Sequence, residues 1–146
     1  MKYIGLVTIT ALAGCAVVEQ IETGAPGAED NSAVSATAPP EDARTVEEFD
    51  TSSAAERAAA VASGNGGTRL GRTIASLGDP SQPGFWMTTS LVTVERPGRI
   101  EYPQKGTRVD VTLIPSEGGS SRVSLAALRL LEAPLADLSE LDVFAN

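Results

Sequence analysis

The chain has 146 residues, a net charge of −8, no histidine and one cysteine, Cys15. This composition excludes an internal disulfide, an imidazole base and a zinc site built from cysteine and histidine ligands. The charge is uneven, because residues 16–56 carry ten acidic side chains against one arginine, whereas residues 57–146 carry nine of each sign. Nothing in this distribution resembles a basic footprint for nucleic acid, so no nucleic-acid partner is predicted.

The first fourteen residues have the layout of a bacterial export signal. Lys2 precedes an apolar run of about ten residues, which at ~1.5 Å per residue covers about half of a ~30 Å hydrocarbon core and cannot span it. The run ends in Leu12-Ala13-Gly14-Cys15, which resembles the lipobox of bacterial lipoproteins. The resemblance implies cleavage just before Cys15 and acylation of that residue with chains such as palmitate. We therefore predict a lipoprotein signal peptide over residues 1–14, the alternative being an ordinary signal peptide with a chance cysteine.

Lipidation would determine both the location of the protein and its remaining chemistry. Three acyl chains would hold it to a bilayer, because each buried CH₂ contributes ~0.8 kcal/mol. Ala16 follows the cysteine, where an aspartate would indicate retention in the inner membrane in well-studied relatives. We therefore predict the periplasmic face of the outer membrane, with the inner membrane as the less favoured alternative. The only thiol would be consumed, which leaves no thiolate nucleophile.

Residues 15–52 are predicted to be a lipid-anchored, acidic and flexible tether. They are rich in Ala, Glu, Thr, Ser, Pro and Gly and contain few bulky apolar side chains. Such a segment cannot bury enough surface to offset the entropy lost on ordering. Near its end, Thr45 and Glu48 have the spacing of a capping box that would open a short turn.

Residues 53–67 are predicted to be a short helix followed by a glycine-rich hinge. Ser53 and Glu56 form a second capping box, which precedes an alanine-rich stretch of high helix propensity. Gly64 is suited to the position after the end of the helix.

Residues 68–146 are predicted to be a β-rich globular domain. Alternating apolar and polar side chains are clearest from Thr107 to Ile114, and Leu125, Leu128 and Leu131 have helical spacing after Ser124. The predicted strands cover residues 70–77, 85–95, 100–102, 107–114 and 141–144, with turns at 96–99 and 103–106 and a loop at 115–121. The fold class is mainly β, a small antiparallel β-barrel-like domain with one or two short helices, preceded by the signal peptide and disordered tether.

Carboxylates are the principal acid–base groups left in this domain, but no catalytic residue, metal ligand or cofactor is predicted. Asp79 precedes a proline in a turn, where its side chain would bond to nearby backbone. Pairing across strands with Arg99 and Arg108 accounts for the acids on the polar faces. A catalytic pair would need two of them held about 5–10 Å apart. The domain acids before the C-terminal segment are Asp79, Glu95, Glu101, Asp110 and Glu117.

Two aromatic and two basic residues are the candidates for ligand binding. Phe85 and Trp86 would face opposite sides of the sheet, so one of them could stack on a sugar or anchor a partner. The alternative buries both, with Trp86 in the barrel and Phe85 under the C-terminal segment. Arg99 and Arg108 belong to a basic set that could hold lipopolysaccharide phosphates or peptidoglycan carboxylates, or else pair with acids on solvated faces. That set is Arg69, Arg72, Arg96, Arg99, Lys105, Arg108, Arg122 and Arg129.

Three blocks resemble a family of small alphaproteobacterial lipoproteins often labelled D-galactarate dehydratase. They are Arg44 to Asp50 (RTVEEFD), Ala75 to Trp86 (ASLGDPSQPGFW) and Ser121 to Leu131 (SRVSLAALRLL). The label implies a sugar-acid dehydratase that would consume galactarate with a divalent metal. Sugar-acid dehydratases, however, are several times longer and cytosolic, whereas this chain carries an export signal.

A second similarity is to the double-psi barrel of rare lipoprotein A. Residues 106–112 resemble a barrel strand of that family, and residues 122–127 resemble its strand-to-helix step. The resemblance implies a shared barrel. The Asp-Arg-Gly-Pro block that marks the functional groove of that family is missing between the two segments, so its peptidoglycan-cleaving activity is not implied.

The sequence therefore predicts a lipid-anchored cell-envelope lipoprotein that acts as a non-catalytic structural or interaction module facing the periplasm. Its expected partners are the membrane, through acyl chains on Cys15, and an envelope protein or peptidoglycan. The alternative function is a barrel that binds, and in one version cleaves, peptidoglycan or another glycan. A third function, sugar-acid dehydration, follows from the family label alone.

Overall fold

The computed structural model describes residues 36–146, except Ser63 and Asn65. The predicted signal peptide, Cys15 and residues 16–35 of the predicted tether lie outside the described residues. Residues 36–146 contain three helices and six strands. These elements are α1 (Val46–Phe49), α2 (Ala54–Ala62), β1 (Thr68–Leu77), β2 (Trp86–Thr89), β3 (Arg96–Tyr102), β4 (Thr107–Pro115), β5 (Ser121–Val123), α3 (Leu125–Leu130) and β6 (Ser139–Ala145).

The six strands close into one barrel in the order β1-β5-β2-β4-β3-β6. The predicted mainly β, barrel-like fold is therefore confirmed. Four of the strand pairs are antiparallel, as the sequence predicts, but β1 and β5 run parallel, and so do β2 and β4. Parallel neighbours need a crossover connection. The chain passes through β3 between β2 and β4, and through β2, β3 and β4 between β1 and β5.

Alternation along the longer strands fills the barrel interior. In β4, Val109, Val111 and Leu113 are buried, whereas the side chains between them are half-buried, so the predicted two-faced strand is confirmed. β6 follows the same pattern, with Leu141 and Val143 fully buried. The other fully buried apolar side chains of the strands are Ala75, Met87, Ile100 and Val123.

A chain of hydroxyl groups joins the three strands around β5. The Ser121 hydroxyl lies 2.9 Å from the Thr73 hydroxyl of β1 and donates to the Thr89 hydroxyl of β2 at 3.1 Å. Ser121 and Thr89 are buried, so the chain satisfies polar groups that would otherwise be costly inside the barrel. These bonds support the closure of the barrel at its shortest strand.

Both predicted capping boxes are present and are thereby confirmed. The Thr45 backbone N–H donates to Glu48 Oε2 at 2.9 Å, and the Glu48 N–H donates to Thr45 Oγ1 at 3.3 Å. At the start of α2, the Ser53 N–H donates to Glu56 Oε2 at 2.6 Å, and the Glu56 N–H donates to Ser53 Oγ at 3.1 Å. Each box satisfies backbone donors that the first turn of a helix leaves unpaired.

Several strand boundaries differ from the sequence-based expectation. The predicted long strand at 85–95 is wrong beyond Thr89, where the chain leaves the sheet, and the predicted turn at 96–99 is wrong because these residues begin β3. The loop predicted at 115–121 ends one residue earlier, because Ser121 begins β5. Tertiary pairing decides these cases, since a β-favourable composition does not by itself specify which residues find a partner strand.

The last part of the predicted tether contacts the barrel domain. Arg129 Nη1, in the last turn of α3, donates to Asp50 Oδ2 at 2.7 Å, and the Asp50 side chain is only 4% exposed. Ala43 and Ala60 are also buried. Residues 36–62 are called the strap below, because they run against the barrel before β1 begins.

Candidate functional site

Trp86 lies on the outer wall of the barrel. Met87 and Thr89 are fully buried and face the interior, so Trp86 and Thr88 face outward. The indole packs against Gly78, where an added Cβ would lie 2.4 Å from the ring. Its Nε1–H donates to the Gln82 carbonyl at 3.3 Å. Trp86 is 9% exposed, which leaves little of the ring for contact with a ligand.

A polar cleft of about 390 Å³ opens beside this tryptophan. One wall is the turn between β1 and β2, and the other is the loop that leads from β4 into β5. The floor is the outward face of β2 and β5, where Thr88 and Arg122 are directly paired. The lining residues are Asp79, Gln82, Trp86, Thr88, Ser116, Gly118, Gly119, Ser120 and Arg122.

The first wall is held in place by Asp79. Its Oδ1 accepts hydrogen bonds from the Ser81 backbone N–H at 2.9 Å and from the Ser81 hydroxyl at 2.6 Å, which confirms the predicted side-chain-to-backbone bond. The Gln82 N–H donates to the Asp79 carbonyl at 3.2 Å. The bonds from the Ser81 hydroxyl and N–H lower the pKa of Asp79, so the cleft carries a negative charge at neutral pH.

Arg122 supplies the positive charge of the cleft. It is exposed on β5, between the fully buried Val123 and the buried Ser121. Its guanidinium makes no hydrogen bond or ion pair with residues 36–62, 64 or 66–146. Asp79 and Arg122 therefore line the same cleft without pairing with each other.

A second cavity of about 470 Å³ lies between α2 and the outer face of β3 and β4. Phe85 lines it together with Ala59 and Ala60 of α2, and most of its surface is apolar. Phe85 is half-buried and packs against the core, so its surroundings favour packing over presentation to a partner. The two adjacent aromatic residues thus lie in different places. Trp86 is beside the polar cleft, and Phe85 is in this second cavity, called the apolar groove below.

Two carboxylates also line the apolar groove. Burial raises the pKa of Asp110, and the opposing influences are a hydrogen bond with the Asn146 side chain and the charges of Arg99 and Arg108. Hydrogen bonds from the Ser53 side chain and backbone lower the pKa of Glu56. Because Glu56 is held in the capping box of α2, its carboxylate serves the helix start, and the arrangement does not assemble an acid–base pair around a substrate.

Arg99 is enclosed by its own chain. Its Nη1 donates to the Gly64 carbonyl at 3.0 Å and also to the Gly66 carbonyl, and its Nε donates to Glu101 Oε1 at 3.0 Å. The guanidinium carbon lies 4.6 Å from the centre of the Phe144 ring, and the residue is 3% exposed. These contacts fasten the glycine hinge to the barrel. Arg99, predicted as a binding residue, therefore has a structural role.

Arg108 is exposed on β4 and lies opposite Glu101 of β3 in the strand register, as the predicted cross-strand charge pairing requires. It is separate from the polar cleft. Of the four predicted binding residues, the cleft therefore contains only Trp86. Sequence reasoning included Arg122 in the basic set without distinguishing it, because a three-residue strand after a glycine-rich loop carries too little periodicity to show which way its side chains face.

Metal binding has no support in the described part of the chain. Among residues 36–62, 64 and 66–146, no group of three or more aspartate, glutamate, cysteine or histidine side chains is placed to hold an ion. These residues do not fit the divalent metal that the dehydratase label implies. Over the same residues, no helix is both long and apolar enough to cross a membrane.

Comparison of the chain with protein-family models, with curated proteins and with solved structures gives no match.

Proposed function

We propose that this protein is a lipid-anchored cell-envelope lipoprotein whose barrel serves as a non-catalytic interaction module on the periplasmic face of the outer membrane. The observation that carries the proposal is the sequence Leu12-Ala13-Gly14-Cys15 after a short apolar run. A short run of this kind suits export and processing, and acyl chains on Cys15 would supply the attachment.

The engagement of charged side chains in the barrel supports a non-catalytic role. Asp142 accepts from Arg69 at 2.6 Å and from Arg72 at 2.8 Å, and its pKa is lowered to about 2, mainly by the hydrogen bond from Arg72. Arg129 holds Asp50 of the strap. The Asp142 carboxylate stays ionised at neutral pH and is a poor proton donor or acceptor, because a useful catalytic pKa lies near the working pH.

The anchor is tested by expressing the full chain in a Gram-negative host with an alkyne-bearing fatty acid. We expect the label on the protein, an amino-terminal peptide that begins at acylated Cys15, and loss of both label and membrane association in Cys15→Ser. A mature chain that begins elsewhere, or that keeps a free thiol at Cys15, contradicts the proposal.

The destination is tested by a substitution beside the anchor. Ala16→Asp should leave the label intact and move the protein from outer-membrane to inner-membrane fractions, in a host that sorts lipoproteins by that residue. Ala16→Ser is the matched control and should stay in the outer membrane. Inner-membrane residence of the unaltered chain contradicts the proposed location while leaving the anchor intact.

A glycan-binding barrel is the second candidate, and the polar cleft beside Trp86 favours it. Hydroxyl and amide side chains line this cleft together with one charge of each sign, which suits a ligand rich in hydroxyl groups. The full chain should sediment with purified peptidoglycan. Recovery of no more protein in the pellet than in a tube without peptidoglycan contradicts this function.

A further inference from the structure

We propose that the cleft beside Trp86 binds a saccharide that carries a carboxylate, with Arg122 as the residue that binds the carboxylate. The inference rests on the glycan-binding function proposed above, and it adds the location of the site and the charge of the ligand.

Arg122 differs from the other arginines of the barrel wall in its surroundings. Arg69 and Arg72 share Asp142, and Arg99 holds Glu101 and the glycine hinge. The Arg122 guanidinium, in contrast, makes no ion pair or hydrogen bond with the part of the chain that the structure describes, although the Arg122 backbone pairs with β1 and β2. A guanidinium that is not already neutralised can present two parallel N–H groups to a carboxylate, which is the geometry that this side chain recognises best.

Asp79 limits the charge that the ligand can carry. Both bonds from Ser81 reach Oδ1, so Oδ2 is left to accept a hydrogen bond from a ligand hydroxyl or amide. A ligand with several negative charges would be repelled by this ionised carboxylate. The two fixed charges together favour a ligand with one carboxylate and several hydrogen-bond donors, rather than a polyanion such as a phosphorylated sugar.

The remaining lining residues favour a sugar over an apolar ligand. Thr88, Ser116 and Ser120 carry hydroxyl groups, and Gln82 carries an amide, so donors and acceptors surround the cleft. A volume of about 390 Å³ is at the small end for ligand sites, which run from about 300 to 1,000 Å³. The cleft therefore suits one or two sugar rings. Because Trp86 is only 9% exposed, polar contacts rather than stacking should dominate the binding.

The experiment compares two disaccharides that differ in one lactyl ether group, which bears a carboxylate. N-acetylglucosaminyl-N-acetylmuramic acid carries it, and N,N′-diacetylchitobiose has two similar rings without it. Trp86 is the only tryptophan in the chain and lines the cleft, so its fluorescence reports occupancy directly. The full chain in detergent is titrated with each sugar, and calorimetry repeats the titrations without relying on the fluorescence.

We expect the acidic disaccharide to bind at least tenfold more tightly than the neutral one. Arg122→Gln should abolish that preference, and Arg122→Lys should keep part of it because the charge remains while the planar fork is lost. Arg44→Gln is the matched control, since Arg44 is exposed and lies outside both cavities, and it should bind as the unaltered chain does. Circular dichroism establishes that each variant is folded.

Each remaining outcome overturns the inference in a recognisable way. Equal binding of the two sugars, or unchanged preference in folded Arg122→Gln, refutes the role of the carboxylate while the glycan-binding function stands. Binding of neither sugar, together with no sedimentation with peptidoglycan, removes both. Tighter binding of a short peptide with a free carboxylate than of either sugar also refutes the saccharide and identifies a peptide as the ligand.

Discussion

Gly98 is a position at which the barrel has no room for an added methyl group. It lies in β3, opposite Val111 of β4 on one side and Ala145 of β6 on the other. A Cβ at this position would lie 2.4 Å from Leu113 Cδ1 and 2.6 Å from the Phe144 carbonyl oxygen. Both distances are shorter than any van der Waals contact, so Gly98→Ala must displace a core side chain and a backbone carbonyl together.

The unfolding free energy lost in Gly98→Ala depends on whether the groups that clash with the new methyl can move. Leu113 is fully buried and cannot swing into solvent, and the Phe144 carbonyl belongs to the β3–β6 seam of a closed barrel. Overpacking typically costs ~1–3 kcal/mol, and a clash that includes backbone belongs at the upper end. We therefore expect Gly98→Ala to lose about 3 kcal/mol of unfolding free energy, with a Tm lower by roughly 10–20 °C for a domain of this size.

Urea denaturation of the full chain, followed by Trp86 fluorescence and by circular dichroism, measures this loss. Gly66→Ala is the matched control, because an added Cβ there has nothing within 4 Å and the Gly66 carbonyl that accepts from Arg99 is retained. The control should be as stable as the unaltered chain or slightly more stable. Alanine lowers the conformational entropy of the unfolded chain, which raises the unfolding free energy by ~0.4–1 kcal/mol at a compatible site. Surface substitutions usually change the unfolding free energy by no more than about 0.5 kcal/mol. A Gly98→Ala variant whose unfolding free energy lies within that range of the unaltered chain refutes the predicted clash.

A double-mutant cycle separates the two contacts. Leu113→Ala alone should cost ~2–5 kcal/mol by leaving a cavity, and in combination with Gly98→Ala part of that space accepts the new methyl group. The double variant should therefore be more stable than additivity predicts, by at least about 1 kcal/mol. Strict additivity would show that Leu113 does not limit the space at Gly98. The contact with the Phe144 carbonyl would then have to account for the whole loss.

Two further predictions concern ion pairs on the barrel surface. Arg129→Ala should increase amide hydrogen exchange in α1 without changing it in β4, because the 2.7 Å bond to Asp50 is lost; unchanged protection in α1 would show that this pair does not hold the strap. Asp142→Asn should lose about 1 kcal/mol at pH 7, a value reduced from the full pKa effect because its partner Arg72 is half-exposed. The pKa of Asp142 is lowered in the folded chain from 3.8 to about 2, so its stabilisation is present above about pH 4 and is lost as the pH falls towards 2. The unfolding free energies of the unaltered chain and Asp142→Asn should therefore be closer at pH 2.5 than at pH 7. An equal difference at the two pH values would contradict the lowered pKa of Asp142.

The sequence predicts the parts of the fold in which local chemistry decides the outcome. The capping boxes at Thr45 and Ser53 specify where α1 and α2 begin, because their side chains bond to backbone groups three residues away. The alternation of β4 predicts its buried face for the same reason, since residues two apart always share a face. In these elements the information lies within a few residues of the structure that it determines.

The sequence predicts poorly where partner strands decide. Ile74 is the middle apolar residue of a predicted strand, yet it is 55% exposed, and its neighbour Ala75 faces the core. The register of β1 against β6 shifts between Arg69 and Gly71, and a shift of one residue exchanges the two faces of a strand. Composition cannot indicate such a shift, because it arises from the closure of the barrel rather than from the segment itself.

The cleft depends on the same long-range pairing, which is why Arg122 could not be singled out from the sequence. β5 has three residues, and only Arg122 and Val123 pair with β2. Because so short a strand covers little of the outer wall, the loop at residues 116–120 stands beside the wall rather than continuing the ladder, and it forms one side of the cleft. The turn at Asp79 forms the other side, since β1 and β2 both lie next to β5 in the barrel order. Residues more than thirty positions apart thus form one polar cleft as a direct consequence of closing the barrel through its shortest strand.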